Sequence, residues 1–320
     1  DRPTGTTPHA LRPASRARQP RPARRPSPRR TGGDHPPPVA VLGAAVSALA
    51  SPARGPGDVP PAPNRRKATR LLARIPTIIA AFDRLRKGRE AIEPLTEGSM
   101  AYNFLYMLNG EKPGEAAERS FDVCLVLHAD HGLNASTFTS RVIGSTLSDM
   151  YSAVTGAIGA LKGPLHGGAN REVMRMLMDI DATDKDATRY VRNRLSEGEK
   201  VMGFGHRVYK TMDPRAAILK EMVGELSEER DQRKWYDYSV DIMNTMQEER
   251  DIDPNVDFFS ASTYYMLGLD PDLFTPIFAL SRTAGWTAHL LEQWSDNRLI
   301  RPRAEYVGEH DKTFTPVEKR

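Results

Sequence analysis

From about residue 65 to about residue 297, apolar residues return every three or four positions, and convincing two-residue alternation is nearly absent. A chain patterned this way buries apolar stripes as packed helices and offers almost nothing to a half-buried sheet. In "RRKATRLLARIPTIIAAFDRLRKG" (65–88), Leu71, Leu72, Ile75, Ile78, Ile79, Phe82 and Leu85 share one face. Pro76 predicts a kink there and Gly88 a stop. "FDVCLVLHADHG" reads as a second helix ending near Gly132. "STFTSRVIGSTLSDMYSAVTGAIGAL" (136–161) reads as one long helix whose Gly, Ala and Ser allow close helix approach. Further amphipathic helices are expected in "NREVMRMLMDI", in "DKDATRYVRNRLSEG" with Thr183 as N-cap and Gly198 past its end, in "QRKWYDYSVDIMNTMQEER" and in "PIFALSRTAGWTAHLLEQWSDN". "DPRAAILKEMVGEL" carries Asp213 as N-cap and Pro214 at the first helical position. The expected fold class is all-α, with glycine-rich connectors at 163–168 and 203–205 as hinges between two packed units.

The formal net charge of +4 is unevenly spread. Residues 1–30 hold nine arginines and one acid, Asp1, so the remainder carries 36 basic and 40 acidic groups, a net of −4. The body therefore lacks the basic stripe of a nucleic-acid binder, and no nucleic-acid partner is expected. Fifteen of the 25 prolines fall within residues 1–63, a density that disfavours the amphipathic helix of a transit peptide. Residues 1–34 read as a disordered Arg/Pro-rich segment. The apolar run "VAVLGAAVSALA" (39–50) is too short and too broken by glycine to span a membrane, and Arg141 and Asp149 argue against a span in 136–161. Cys124, the single cysteine, excludes an intrachain disulfide and suits a reducing, cytoplasmic setting. In "FDVCLVL" it reads as a buried, inert thiol.

Of eight histidines, His9 and His35 fall in the Arg/Pro-rich start, His310 in a polar tail, and His289 in an amphipathic helix where a structural role suffices. His128 and His131, three apart in "LHADHGLN", allow a metal pair or a packed ring beside a helix end; no cysteine partner and no HExxH spacing supports the metal. His166 stands in "GPLHGGAN", a glycine hinge at the mouth of a helix. His206 in "MGFGHRVYKTMDPRA" is followed by Arg207, Lys210 and Arg215, which fits a solvated basic loop or a site for a polyanionic or dicarboxylate ligand. Asp257 in "PNVDFFSASTYYML" reads as a helix N-cap, or as a base strengthened by Val256, Phe258 and Phe259 around it. Arg282 is a lone cation on an apolar helix face, a place where arginine pairs with a carboxylate of the protein or of a ligand.

"LHADHGLNAST", "GPLHGGAN", "GFGHRVYKTMDPR", "NVDFFSAS", "LFTPIFALSRTAGW" and "DNRLIRPRAEYVG" occur in this order, and together they resemble the citrate synthase family in its shorter bacterial type, from about residue 35 to the end. The related 2-methylcitrate synthases share most of the pattern, and "RPRAEY" looks more like the citrate branch. The resemblance implies an almost wholly helical fold, with a large domain (35–166 and 258–320), a small mobile domain (167–257) and a homodimer. It implies condensation of acetyl-CoA with oxaloacetate to citrate and CoA, with no metal or redox cofactor. The alternatives are propionyl-CoA as substrate, or a truncated inactive relative serving as an interaction protein. By the matching motifs, Asp257 is implied as the base on the acetyl methyl, His166 as donor to the thioester oxygen and His206 as donor to the ketone of oxaloacetate. His131, Arg215 and Arg282 are implied to hold the oxaloacetate carboxylates, joined by Arg301 from the partner subunit. Gly203, Phe204, Gly205, Lys210 and Asn255 fall where the family meets coenzyme A. His166 at a helix start would feel the positive end of the dipole and stay neutral, as a donor to an enolate oxygen must. The start departs from the family pattern: an Arg/Pro-rich run stands where N-terminal helices are expected, and 35–64 carries proline and glycine in place of a helix.

Overall fold

The computed structural model describes residues 35–50, 61–183, 186–206 and 211–319; the Arg/Pro-rich segment 1–34 and Lys210 lie outside them. The described residues form twelve α-helices and no strand, so the all-α expectation holds. In chain order these are α1 (Pro38–Ala48), α2 (Pro61–Arg86), α3 (Met100–Asn109), α4 (Glu115–His128), α5 (Ala135–Ser145), α6 (Met150–Leu161), α7 (Ala169–Thr183), α8 (Ala187–Ser196), α9 (Pro214–Glu229), α10 (Arg233–Arg250), α11 (Val256–Met266) and α12 (Phe274–Ser295).

Two helices are apolar nearly all round and organise the others. In α12 every residue from Phe274 to Thr283 is buried, as are Gly285, Trp286, Thr287, Leu290 and Gln293. A helix with no polar face must be covered on all sides, and α1, α2, α4, α5, α6 and α7 supply the cover. The second is α11, buried from Phe258 through Tyr264, around which α7, α9 and α10 pack, with α9 also resting on α4. Stacked Phe104 and Phe121 join α3 to α4, and Tyr264 meets Phe121 edge-on from α11. Cys124 is fully buried in this apolar layer, and burial raises its thiol pKa, which fits an inert thiol.

Four expectations are corrected. The 136–161 stretch is two helices, not one: Leu147 takes φ 65°, and Asp149 accepts from Tyr151 N and Ser152 N as the N-cap of α6. Folding back this way lays α5 on α6, where a Cβ on Gly156 would come within 2.2 Å of Ile143. Thr183 closes α7, and the N-cap of α8 is Asp186, whose carboxylate accepts from Arg189 N. The apolar run after Pro37 forms α1 despite its prolines, since proline at a first helical position gives up no needed N–H. Finally, α4 stops at His128, four positions before Gly132, and frees five residues ahead of the Asn134 cap of α5. By contrast, α2 runs through Pro76 and ends at Arg86, with Gly88 at φ 69°.

Replacing Asp149 by Ala removes both capping bonds at the start of α6. We expect a loss of about 1 kcal/mol of stability, read as a lower denaturant midpoint at unchanged slope.

Candidate active site

His166 lies in the turn that leaves α6, held by its own backbone bond to Gly163 O at 3.0 Å. It precedes the first residue of α7 by three positions, and the helix end that meets its ring belongs to α5 instead. There the backbone N–H of Ser136 donates to Nε2 at 3.3 Å, and Ser136 Oγ lies 2.9 Å from the same nitrogen. A backbone amide can only donate, so Nε2 accepts and the ring proton sits on Nδ1. Trp286 of α12 fixes Ser136 by donating from Nε1 to Oγ at 3.1 Å. Burial, then the positive Arg282, lowers the His166 pKa to about 4, so the ring is neutral at ordinary pH.

His206 and Asp257 are 51 positions apart and are joined by a short antiparallel pairing. Asn255 N donates to Gly203 O at 2.9 Å and Gly205 N to Asp253 O at 3.0 Å. Gly203 has φ 86°, and a Cβ there would fall within 2.8 Å of Phe258 and Val173, so only glycine permits this approach. Phe204 packs its ring 4.7 Å from that of Phe258. Asn255, not Asp257, caps α11: its Oδ1 accepts from Asp257 N at 3.0 Å, while its Nδ2 donates to Gly205 O at 3.0 Å. Asp257 is thereby released from the cap role and sits in the first turn.

The Asp257 side chain is half-buried, yet its Oδ1 is out of reach of solvent and has no hydrogen-bond partner among the described residues. Burial raises its pKa to about 6, against the opposing pull of Arg215 and Arg282. Arg282 is 2% exposed, with Nε donating to His128 O at 2.7 Å and its guanidinium over the Phe278 ring at 4.8 Å. The Phe278 ring also lies 6.3 Å from that of His166, centroid to centroid. Burial lowers the Arg282 pKa to about 10.

His131 lies with its ring 5.1 Å from that of His206. Burial lowers the pKa of both rings, and Arg215 lowers that of each further. Arg215 grips Asp213 through Nε at 3.0 Å and Nη2 at 2.7 Å. Burial alone would raise the Asp213 carboxyl, but the Arg215 contacts outweigh it and leave the pKa lowered. Asp213 also caps α9 at Arg215 N and accepts from Val256 N at 3.3 Å, which ties the start of α9 to the start of α11.

The structure thus brings His131, His166, His206, Arg215, Asp257 and Arg282 into one electrostatic neighbourhood. It does not bring Arg301 there: that side chain is exposed in the segment after α12, where Nη1 donates to Pro302 O at 3.5 Å. His128 points into the core, where Nδ1 meets Cys124 O at 2.8 Å and burial lowers its pKa to about 4. Among the described residues no group of three or more His, Cys, Asp or Glu is placed to hold a metal. Sequence reasoning missed Ser136 and Trp286 beside His166, and saw Asp213 only as a cap. The signal for Ser136 was its place in "LNAST", inside a first helical turn whose amides have no helical partner.

The site is a charge-resisting carboxylate in the field of two arginines, set in an all-helical fold whose nearby imidazoles also resist protonation, an arrangement suited to a small anionic ligand. The family model for citrate synthase, C-terminal domain, matches residues 19–303. A citrate synthase of Haloferax volcanii is 57% identical over 257 residues, covering 80% of this chain and 68% of that protein. A 2-methylcitrate synthase of Corynebacterium glutamicum is 46% identical over 261 residues, covering 80% and 68%. The citrate synthase of Thermoplasma acidophilum, solved in ternary complex with carboxymethyl coenzyme A and oxaloacetate, superposes with a TM-score of 0.79 at 35% identity, covering 88% of this chain and 76% of that one. The chain belongs to the citrate synthase family.

A carboxyl raised to about 6 holds its proton in the folded state over a range where the unfolded chain has released it. Stability therefore falls as pH rises from about 4 to about 6, and the full penalty is present above that. Asp257→Asn removes the penalty. The variant is expected to be more stable than the parent by about 1–3 kcal/mol at pH 7–8, with the difference vanishing near pH 4, as read by thermal denaturation across pH.

Proposed function

We propose that the chain condenses acetyl-CoA with oxaloacetate and hydrolyses the resulting thioester to citrate and free CoA. The observation that supports this reading is the unpartnered, solvent-inaccessible Oδ1 of Asp257 in the field of the buried Arg282, the same cation that acts on the neutral His166 ring. A methyl next to a thioester is a very weak carbon acid. Its proton can pass to Asp257 only if the oxygen that gains electron density is stabilised in the same step, and His166 supplies the N–H. The enol carbon then bonds to the ketone carbon of oxaloacetate, whose oxygen takes a proton from His206. Water finally breaks the carbon–sulfur bond, releasing citrate and the CoA thiol.

His131, Arg215 and Arg282 hold the two carboxylates of oxaloacetate. Arg282 suits this because no described carboxylate lies within ion-pair reach of it, so a ligand carboxylate relieves the burial of its charge. The coenzyme A portion lies along Gly203, Phe204, Gly205, Lys210 and Asn255. These steps need acids, bases and hydrogen-bond donors, and the reading includes no metal and no redox cofactor. The enzyme works as a homodimer in the cytoplasm, with Arg301 reaching the partner subunit's site. Among the described residues no helix is long and apolar enough to cross a membrane. Residues 167–257 form the mobile body that closes against 35–166 and 258–320 to exclude water until condensation has occurred.

The test is thiol release by the purified chain with oxaloacetate and either acetyl-CoA or propionyl-CoA. Oxaloacetate-dependent release, faster with acetyl-CoA, is expected. Faster release with propionyl-CoA assigns the 2-methylcitrate reaction, a reading supported by the 46% identity to the Corynebacterium enzyme. No release from the folded parent chain overturns both readings and leaves an inactive relative. Asp257→Ala is expected to lower turnover by roughly 10²–10⁴-fold. In the parent, kcat/KM is expected to fall by about tenfold per pH unit below about 6, because the base then carries a proton.

A further inference from the structure

Three consecutive residues, the last of α4 and the two that follow it, are gripped by one face of α12. His128 O accepts from Arg282 Nε at 2.7 Å, Ala129 O from Gly285 N at 3.1 Å, and Asp130 Oδ1 lies 3.1 Å from His289 Nε2. Residues 282, 285 and 289 follow the helical spacing that puts side chains on one face. Gly285 is what lets the backbone come so close: a Cβ there would fall 2.3 Å from Ala129 O and 2.9 Å from Asp130 Oδ1. The other oxygen of Asp130 reaches past His131 and accepts from Gly132 N at 3.2 Å, where Gly132 turns the chain at φ 56°. The Asp130 carboxylate thus ties the backbone just past His131 to α12 through His289.

The tautomer of His289 follows from its other neighbour. Arg141 Nη1 lies 3.0 Å from Nδ1, and a guanidinium has no acceptor, so Nδ1 accepts. The proton is on Nε2, where it is donated to Asp130 Oδ1. Arg141 is itself fixed by Gln293 Oε1 at 3.1 Å and by Glu292. His289 is therefore oriented from both sides.

We propose that Asp130 and His289 are a positioning pair for the oxaloacetate site, holding His131 at the place where it meets a substrate carboxylate. The proposal rests on the reading of His131 as a carboxylate ligand. Residues 130–133 lie between the end of α4 and the Asn134 cap of α5 and have no helical hydrogen bonds of their own. Their path is set in part by these side-chain contacts, together with Asn134 Nδ2 donating to Gly132 O at 3.3 Å, so losing the pair loosens the setting of His131 while the acyl-CoA side, built on Gly203–Gly205 and Asn255, keeps its own pairing.

The experiment is steady-state kinetics of the full chain with each substrate varied in turn, and calorimetric binding of oxaloacetate alone. His289→Ala is expected to raise KM and Kd for oxaloacetate by roughly five- to tenfold, with kcat and the KM for acetyl-CoA within about twofold of the parent. His289→Gln, whose amide N–H reaches toward Asp130, is expected to restore most of the affinity. Asp130→Ala should match His289→Ala, and the double variant should be no worse than either single one, because both remove the same contact. If His289→Ala fails to fold, Asp130→Ala at its half-exposed position carries the same test. An unchanged KM for oxaloacetate, an equal rise in both KM values, or no rescue by Gln overturns the positioning pair. A parent chain with no oxaloacetate-dependent thiol release overturns the enzymatic reading instead, and the calorimetric Kd then still decides the pair.

Discussion

A guanidinium sits in the buried first half of α12, with a carbonyl and an aromatic ring for company and no described carboxylate in ion-pair reach. Taking such a charge out of water without a partner is costly. Arg282 bears that cost visibly, since burial brings its own pKa down to about 10. Its field also reaches the surrounding groups. It lowers the His166 and His131 pKa values and opposes the rise at Asp257. An unpaired buried cation is hard to explain as a stability device. It makes sense as half of an ion pair whose other half arrives with the ligand.

Burial drives Asp257 and His166 in opposite directions on the pH scale and for one reason: each resists its charged form. The carboxylate becomes a stronger base, and the imidazole stays a neutral donor. A carboxylate of ordinary pKa is too weak a base for a thioester methyl, and an imidazolium would give its proton away outright. The two shifts together leave a carboxylate able to take a proton and a ring that donates a hydrogen bond without carrying charge. The Ser136 amide adds what burial cannot, a fixed choice of which ring nitrogen holds the proton.

Local chemistry was legible wherever the governing contacts are near in sequence. Asp213 with Pro214 announced the start of α9, Gly88 the end of α2, and the apolar residues around Asp257 its raised pKa. The ordered motifs pointed to the residues that the fold gathers. What stayed hidden depends on partners far along the chain. Nothing near Asn255 indicates that it, and not Asp257, would cap α11, because that choice is made by the pairing with Gly203 and Gly205 across some 50 residues. The break at Leu147 is weakly marked, since a leucine at φ 65° is tolerated only when the following Asp149 cap and the α5–α6 contact outweigh the strain. His289 looked structural within its own helix; its link to Asp130 spans 159 positions and has no local trace.

The site residues do not share one support. Those around His131, His166 and Arg282 all lean on α12, through Arg282, Gly285, Trp286 and His289, and α12 is covered by six other helices. Asp257 rides on the first turn of the buried α11, but His206 hangs on two backbone hydrogen bonds and the Asn255 side-chain bond between 203–205 and 253–255, and the single carboxylate of Asp213 spans the starts of α9 and α11. A rigid, fully covered helix moves only as part of the core, whereas a few hydrogen bonds between loops yield at far lower free energy. The α12 contacts and the loop pairing therefore differ in how readily they give way, and Arg215, held by Asp213 at the start of α9, stands with the second group.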